Sequence, residues 1–250
     1  MTGEHADNRR LLEVKGPDRR DFLQNLVTND VDRLAQGLVY AALLSPQGKY
    51  LADFFLVPAE DSILIDVHAD LAEPLLRRLA MYKLRANVTI TPGDLAVSRG
   101  RGPVPAGAFA DPRHAELGWR LYGAAGASAP GIDWDTLRVA HLVPESGIEL
   151  IPDESYILEC GFERLNGVDF RKGCYVGQEV TARMKHKTEL RKGLALVALE
   201  SPVPVGTEIL AEGKPAGRVF TQAEGRGIAY LRHDRVGPQM FAAGVAVTPV

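Results

Sequence analysis

The amino-acid sequence predicts an α+β fold with a small all-β domain at its C-terminal end. In the first 190 residues, apolar runs of strand length come in pairs around tight turns, with helical patterns between them. From Arg191 onward, short β-type runs are separated by Gly or Pro at close intervals, which is typical of a small barrel or sandwich. No GxGxxG or GxxxxGK phosphate loop follows a strand, so a doubly wound nucleotide-binding sheet is not expected. We therefore predict an α+β body over 1–190 and a small β-barrel over 191–250.

The first elements follow from short local patterns. The run LLEV predicts a strand, GPD at 16–18 predicts a turn, and the residues after it predict a helix with Asp18 as its N-cap. The buried stripe of this helix would consist of Phe22, Leu23, Leu26 and Val27. The runs VYAALLS and YLADFFLV flank a Pro-Gln-Gly turn and predict a β-hairpin, and SILIDV predicts a third strand.

The middle of the chain alternates between the two kinds of pattern. DLAE at 70–73 resembles a capping box and predicts a helix to residue 84, with Pro74 in its first turn. NVTI and LAVSR are strand candidates after this helix, and 133–143 predicts a further helix. GAAGASAPG at 123–131 is typical of a surface loop or short linker.

Composition limits the function classes. A chain of 250 residues with 46% hydrophobic content can bury a substantial core. Its formal net charge of −3 gives no overall basic field, so nucleic acid is not expected as the main ligand. The N-terminal segment has no signal-peptide core, and no apolar run approaches the ~18 residues of a membrane span. We therefore expect a cytoplasmic protein without membrane contact, and a monomer.

Two cysteines, Cys160 and Cys174, are too few for a disulfide framework in a chain without a secretory signal, so two reduced thiols are expected. They are also too few for a structural zinc site or an iron–sulfur cluster, which usually takes four N or S ligands. The six histidines are scattered without HxH or HxxxH spacing. We therefore expect no permanently bound metal.

One short segment carries unusual chemistry. KGCYVGQEV at 172–180 places Cys174 between two glycines and close before GQEVTARMKHK, which predicts a helix. The helix dipole and the cations of Lys172, Arg171 and Arg183 would favour the thiolate form of Cys174. Glu179 in the first helical turn could accept hydrogen bonds from amino and ring N–H groups of a ligand.

Each of these residues also has an ordinary structural interpretation. A lone cysteine is more often a small buried hydrophobic residue than a nucleophile. Glu179 alone is a common helix-start residue, and Gly173 and Gly177 alone mark a loop. The combination is more informative than its parts, because a structural loop has no need of a thiol, a lysine and an amide–carboxylate pair together.

The segment resembles the KGCY-x-GQE signature of the YgfZ-type folate-binding proteins, relatives of the glycine-cleavage T protein (aminomethyltransferase) that act in iron–sulfur enzyme maturation. Four further segments and the C-terminal runs GRVFTQ and GIAYLR are similar to parts of the same family, so the resemblance covers almost the whole chain. The four segments are FLQNLVTNDV (22–31), LLSPQGKYLADFFLV (43–57), DPRHAELGWR (111–120) and LRVAHLVP (137–144).

The resemblance implies a GcvT-like α+β fold with two pseudo-repeated subdomains and a C-terminal β-barrel, arranged around a tetrahydrofolate site. It matches Asp53 to an aspartate near the reactive folate nitrogens and Arg138 to an arginine near the folate. Cys174 and Asp53 are then the expected chemical groups. The expected folate-binding residues are Arg138, Lys172, Gly173, Tyr175, Gly177, Gln178 and Glu179.

Three positions depart from the family pattern. The aminomethyltransferases have a Y-T-G-E segment whose glutamate holds the pterin, whereas the aligned GWRLYGAAG contains no acid, which argues against a working glycine-cleavage T protein. Leu142 stands where the arginine helix usually has a glycine. His186-Lys187-Thr188 stands where H-R-G is frequent, which leaves a role for His186 open.

Three functions remain open from the sequence. The first is a folate-binding accessory protein for maturation or repair of [4Fe-4S] proteins, with Cys174 as a reactive thiol and client or assembly proteins as partners. The second is a folate-dependent one-carbon transferase that uses Asp53 and Cys174. The third is a folate-binding module without chemistry, in which Cys174 is structural.

Overall fold

The computed structural model describes residues 2–124, 131–187 and 189–250. The chain divides into two compact units, one formed by Met1–Ile132 with Glu163–Val180 and the other by Asp133–Phe162 with Thr181–Val250. Most of the loop predicted at 123–131, and Thr188 after His186, lie outside the described residues. The predicted domain boundary near residue 190 stays a prediction. No helix within the described ranges is long and apolar enough to cross a membrane.

In its described residues, the first unit contains two antiparallel sheets, two complete α-helices and the short 3-10 helices Val31–Gln36 and Ala115–Leu117. Its strands are β1 Thr2–His5, β2 Arg9–Lys15, β3 Val39–Leu44, β4 Tyr50–Pro58, β5 Ser62–His68, β6 Thr89–Gly93, β7 Ala96–Arg101, β8 Phe109–Ala110 and β9 Trp119–Gly123. Its complete α-helices are α1 Arg19–Gln24 and α2 Ala69–Tyr82. The strand order is β3-β4-β5-β2-β6 in the larger sheet and β1-β7-β9-β8 in the smaller one. The predicted hairpin is therefore confirmed, because β3 pairs with β4 antiparallel.

Strands β3, β4 and β5 of the larger sheet are buried on both faces. Every residue of β3 is buried, and so are all of β4 except its last. Because side chains alternate between faces, one face sends Leu43, Phe54 and Ile65 into the apolar core that Leu23 of α1 and Leu79 of α2 complete. The other face carries the buried carboxylates described below.

The first helix begins where the sequence predicts, although without a side-chain cap, and the second helix begins earlier than predicted. Asp18 is at the N-cap position of α1, but its side chain makes no cap hydrogen bond and instead accepts one from the backbone N–H of Asn87 at 2.7 Å. The N-cap of α2 is His68, whose Nδ1 accepts from the backbone N–H of Asp70. The predicted capping box at Asp70 is therefore wrong, and Pro74 lies in the second turn because α2 begins at Ala69.

The smaller sheet includes strands that the sequence did not predict. β1 (TGEH) and β9 (WRLYG) lack a run of apolar residues, yet both pair with β7, which was predicted. Trp119 at the start of β9 is buried, and a Cβ at Gly3 would lie 2.5 Å from its ring. These strands form because β7 offers two edges, which is not visible in their own sequences.

The second unit contains α3 Trp134–Ala140 and a closed barrel, while α4 Gln178–Lys187 begins in the first unit and ends in the second. The barrel strands are β10 Lys192–Leu199, β11 Glu208–Ala211, β12 Lys214–Ala223, β13 Arg226–Arg232, β14 Met240–Ala242 and β15 Val245–Pro249. They close in the order β10-β13-β12-β11-β14-β15. Of the two predicted alternatives, barrel and sandwich, the barrel is therefore correct.

Candidate functional site

The KGCYVGQEV segment is held by two other segments of the first unit. The residues that lead into it bond to the turn after α1: the Thr28 hydroxyl donates to the Gly167 carbonyl at 2.7 Å, and the Asp169 N–H donates to the Thr28 carbonyl at 3.0 Å. Asn29 donates from its side-chain amide to the Asn166 carbonyl at 2.6 Å. Together with the contacts of Lys172 and Gly177 described next, these bonds bring three stretches into one site. The stretches are 22–31, 43–48 and 172–180.

Lys172 anchors the start of the segment. Its side chain is buried, and its Nζ donates to the backbone carbonyls of Gln24 at 2.8 Å, Val27 at 2.6 Å and Asn29 at 2.9 Å. Gln24 is the last residue of α1, where helix carbonyls lack intrahelical partners. An ammonium has three N–H donors, so these three carbonyls use all of them.

The charge state of Lys172 follows from its burial. Burial lowers the pKa of the Lys172 amine to about 8, while the carboxylates of Asp30 and Asp169 act in the opposite direction. With a pKa of about 8, the Lys172 amine is mostly protonated at neutral pH, and this ammonium form has three N–H donors. Its Nζ also lies 5.3 Å from the centre of the Tyr175 ring, close enough for a cation–π contact. The buried Tyr175 thus packs beside the anchor, inside the segment.

Gly177 anchors the other end. Its φ is +82°, and a Cβ there would lie 2.6 Å from the carbonyl oxygen of Ser45. Gly48, in the turn of the β3–β4 hairpin, has φ +74°, and its Cβ would lie 2.8 Å from Cβ of Val180. Only glycines allow the hairpin turn and the loop at 172–177, hereafter the signature loop, to approach so closely. A hydrogen bond from the Gln178 N–H to the Tyr175 carbonyl at 3.2 Å closes the turn into α4.

Cys174 lies between these two anchors and is exposed, whereas Cys160 is buried, and neither is in a disulfide. Gly173 has no other atom within 4 Å of a Cβ built on it, so the space beside the cysteine is open. Glu179 is exposed in the first turn of α4, and Gln178 is half-buried. The segment therefore presents a thiol and a carboxylate on a loop whose two ends are held.

Asp53 lies in a different polar cluster of the same unit. It is buried in β4, and its two carboxylate oxygens accept hydrogen bonds from the hydroxyls of Tyr50 at 2.7 Å and Tyr40 at 3.0 Å. Burial and the Asp53 carboxylate raise the pKa of Tyr40 well above its ordinary value, so this hydroxyl stays protonated and remains a donor. The role of Asp53 as a chemical group stays a prediction.

A buried ion cluster lies on the same face of the larger sheet. Asp66, fully buried in β5, accepts from Arg9 Nε at 2.6 Å, from Arg120 Nη1 at 2.7 Å and from the Tyr122 hydroxyl at 2.9 Å. Burial alone raises the pKa of Asp66, but Arg9 and Arg120 outweigh it and hold that pKa below its usual range.

The DPR segment continues this cluster. Asp111 accepts from Arg113 Nε at 3.0 Å and from Arg113 Nη2 at 2.8 Å. Burial alone raises the pKa of Asp111, but Arg113 and Arg120 outweigh burial and hold that pKa below its usual range. The guanidinium of Arg120 lies 4.1 Å and that of Arg113 4.8 Å from the centre of the Phe55 ring. Arg113 also lies 5.4 Å from the ring centre of Tyr40, which links the cluster to Asp53. The 111–120 segment, which resembles the family pattern, therefore contributes buried ion pairs and ring contacts within the first unit.

Arg138 lies in the second unit, where its guanidinium is bonded to protein partners. Nη1 donates to Glu149 at 3.2 Å, and Nη2 donates to Asp135 at 2.8 Å and to the Thr221 hydroxyl at 2.9 Å. Burial lowers the pKa of Arg138, but the carboxylates of Glu149 and Glu145 outweigh burial, so the pKa lies above its ordinary value. Its folate contact stays a prediction.

Sequence reasoning missed Asp66 and Glu149, the two fully buried carboxylates that organise these clusters. The signal for Asp66 was present, because an acid inside the apolar run SILIDV needs a buried partner. Glu149 gave no such signal, since it is not inside an apolar run as long as SILIDV, and its partner Thr221 is 72 residues away in sequence.

The polar groups that remain available decide how well a folate would fit. The donors of Lys172 and Arg138 are bonded to protein acceptors, and both oxygens of Asp53 already accept from tyrosines. Glu179 is exposed and Gln178 is half-buried at the start of α4, and no atom lies within 4 Å of a Cβ built on Gly173. The residues therefore fit the amino and ring N–H edge of a folate at Glu179 and Gln178. No cluster of three or more His, Cys, Asp or Glu in the described part of the chain is placed to hold a metal ion.

Fold and site together define a protein with the fold of the glycine-cleavage aminomethyltransferases that presents one exposed thiol. The aminomethyltransferase T from Bartonella henselae superposes with a TM-score of 0.82 over 99% of this chain and 84% of its own, at 16% identity. This confirms the predicted fold class. The profile of the family described as "CAF17, C-terminal beta-barrel domain" matches residues 191–250.

Two similar proteins carry the name iron–sulfur cluster assembly factor IBA57, mitochondrial. The one from Mus musculus is 32% identical over 98% of this chain and 82% of its own length. The one from Homo sapiens is 31% identical over 93% of this chain and 78% of its own length. The chain therefore belongs to the IBA57 family of iron–sulfur cluster assembly factors.

Proposed function

We propose that this chain assists the assembly or repair of [4Fe-4S] clusters in client proteins, in the manner of the YgfZ-type proteins, and that the Cys174 thiolate is its contact with the cluster. The observation that carries this proposal is the position of Cys174, exposed between the Lys172 and Gly177 anchors. Membership of the IBA57 family supports the iron–sulfur context.

A single cysteine can supply one ligand to an iron–sulfur cluster, which usually takes four. We therefore propose that the cluster is shared, with the remaining ligands coming from a client or assembly protein. The Cys174 thiol loses its proton to solvent, its thiolate binds one iron, and this bond breaks when the client's own cysteine replaces it. The cluster is cargo in this scheme.

The proposal is tested by replacing Cys174 with Ser in cells that lack their own copy of the gene. We expect loss of the activity of a [4Fe-4S] enzyme at unchanged level of the variant protein. Cys160→Ala is the matched control, because this thiol is buried and should leave the activity intact once folding is verified. Full activity with Cys174→Ser would refute the proposed thiol role.

We further propose tetrahydrofolate as the small molecule of this site, held at its amino and ring N–H edge by Glu179 and Gln178. When bound, it would supply secondary amines that can carry a one-carbon unit. The supporting observations are the exposed Glu179 carboxylate and the open space at Gly173. Calorimetric titration with tetrahydrofolate should show binding that Glu179→Gln weakens. Titration without heat would exclude the folate part while leaving the thiol part intact.

A further inference from the structure

Lys172 donates hydrogen bonds to three backbone carbonyls, so its role is not limited to placing a positive charge near the thiol. Every donor of its ammonium is bonded to the turn after α1, at Gln24, Val27 and Asn29. A lysine that contacted a folate or a cluster sulfide directly would need a donor for it. The sequence expectation of a ligand-binding lysine therefore has a structural alternative.

We propose that Lys172 is a positioning residue: it fixes Cys174 at the exposed apex of the loop, so that the thiol meets a partner-held cluster in one geometry. This inference rests on the proposed function. Lys172 and Cys174 are separated by one residue, so their Cα atoms are at most about 7 Å apart. An anchor at Lys172 therefore limits where the Cys174 backbone can lie.

The second anchor completes the restraint. Gly177 is packed against Ser45, and the buried Tyr175 lies between Cys174 and that contact. Of the two glycines at 173 and 177, only Gly177 is closely packed, since no atom lies within 4 Å of a Cβ built on Gly173. The loop is thus restrained by neighbours on both sides of the cysteine, while the thiol faces outward.

A lysine suits this task for a physical reason. Its flexible stem reaches into the protein, and its compact ammonium donates in three directions, whereas the planar guanidinium of an arginine donates within one plane. Methionine has a stem of similar length and no donor, so Lys172→Met removes the three hydrogen bonds while largely filling the same space. Lys83, exposed after the end of α2, offers the matched control Lys83→Met.

The positioning role is tested by attaching a nitroxide label to Cys174 and recording its electron paramagnetic resonance spectrum. Cys160 is buried and should stay unlabelled, which mass spectrometry verifies. We expect the native chain and Lys83→Met to give the same spectrum, broader than that of Lys172→Met. For Lys172→Met we expect a narrow, mobile spectrum at an unchanged circular-dichroism signature. The same spectrum in Lys172→Met and the native chain would overturn the proposal.

A second variant covers the case in which Lys172→Met does not fold. One glycine inserted between Gly173 and Cys174 leaves all three Lys172 hydrogen bonds in place, and the open space at Gly173 accommodates it. The longer connection should mobilise the label as Lys172→Met does. An immobilised label in this insertion variant would contradict the inferred restraint.

The functional readout separates positioning from stability. Alkylation of Cys174 by iodoacetamide needs an accessible thiolate and no particular loop geometry, so Cys174 of Lys172→Met should still be alkylated to completion. Support of a [4Fe-4S] enzyme in cells should fall about 10–100-fold, as for other residues that orient ligands. The positioning role would be overturned if Lys172→Met lost alkylation and enzyme support equally, or if it lost neither. If Cys174→Ser keeps full enzyme activity, the proposed function fails instead, and the label mobility still reports on the anchor.

Discussion

Gly177→Ala tests the contact between the signature loop and the hairpin turn directly. The native φ of +82° is a conformation that costs alanine about 1–2 kcal/mol. The new Cβ would also lie 2.6 Å from the Ser45 carbonyl oxygen, and relieving such overpacking typically costs about 1–3 kcal/mol. We therefore expect the free energy of unfolding of the first unit to fall by about 2–5 kcal/mol.

The measurement is thermal unfolding followed by circular dichroism. For a chain of this size, the expected loss corresponds to a decrease in Tm of roughly 5–20 °C. Gly173→Ala is the matched control, because its φ is not positive and its Cβ would meet nothing within 4 Å, so its Tm should stay within about 2 °C of the native value. Equal Tm values for the two variants would refute the inferred packing of Gly177 against the hairpin.

Three further predictions follow from the two cysteines and from the buried ion pairs of each unit. Native protein treated with iodoacetamide should be alkylated at Cys174, and Cys160 should react only after denaturation; peptide mass spectrometry would contradict the described burial if both reacted at once. The folded-state pKa values of Asp66 and Asp111 lie below their usual range, so their contribution to stability is present above about pH 4 and is lost as pH falls through those lower values. Acid titration of Asp66→Asn should therefore show lower stability at pH 7 and a smaller loss below pH 4 than the native chain, and parallel curves would exclude this linkage. Glu149→Gln disturbs a fully buried carboxylate that faces a guanidinium, and we expect a loss of about 3–5 kcal/mol in urea unfolding; an unchanged midpoint would rule out its structural role.

The local elements were largely predictable because they depend on short-range patterns. The β3–β4 hairpin was recognisable from two apolar runs around a tight turn, and the barrel strands from closely spaced Gly and Pro. The exceptions also have local reasons. His68 caps α2 because its Nδ1 reaches the Asp70 N–H, and a histidine cap has no strong sequence signal.

The candidate site was predictable in its residues and not in its geometry. Cys174, Lys172 and Gly177 were chosen from one contiguous segment, but sequence spacing suggested that the lysine would act on the thiol or on a ligand. In the structure its amine faces the carbonyls of Val27 and Asn29, which lie more than a hundred residues earlier in the chain. A hydrogen bond between such distant residues leaves no periodic pattern that a sequence can display.

By itself, the sequence determined the α+β class, the C-terminal β domain and the segment that carries the thiol, because each depends on neighbouring residues and their spacing. The tertiary structure alone decided which charged side chains are paired with groups of the protein and which are exposed to a ligand. Burial makes an unpaired charge costly, so Lys172, Asp66 and Arg138 are bonded to partners that only folding brings within reach. Cys174 and Glu179 remain exposed, in a segment whose start the buried Lys172 anchors through three backbone carbonyls.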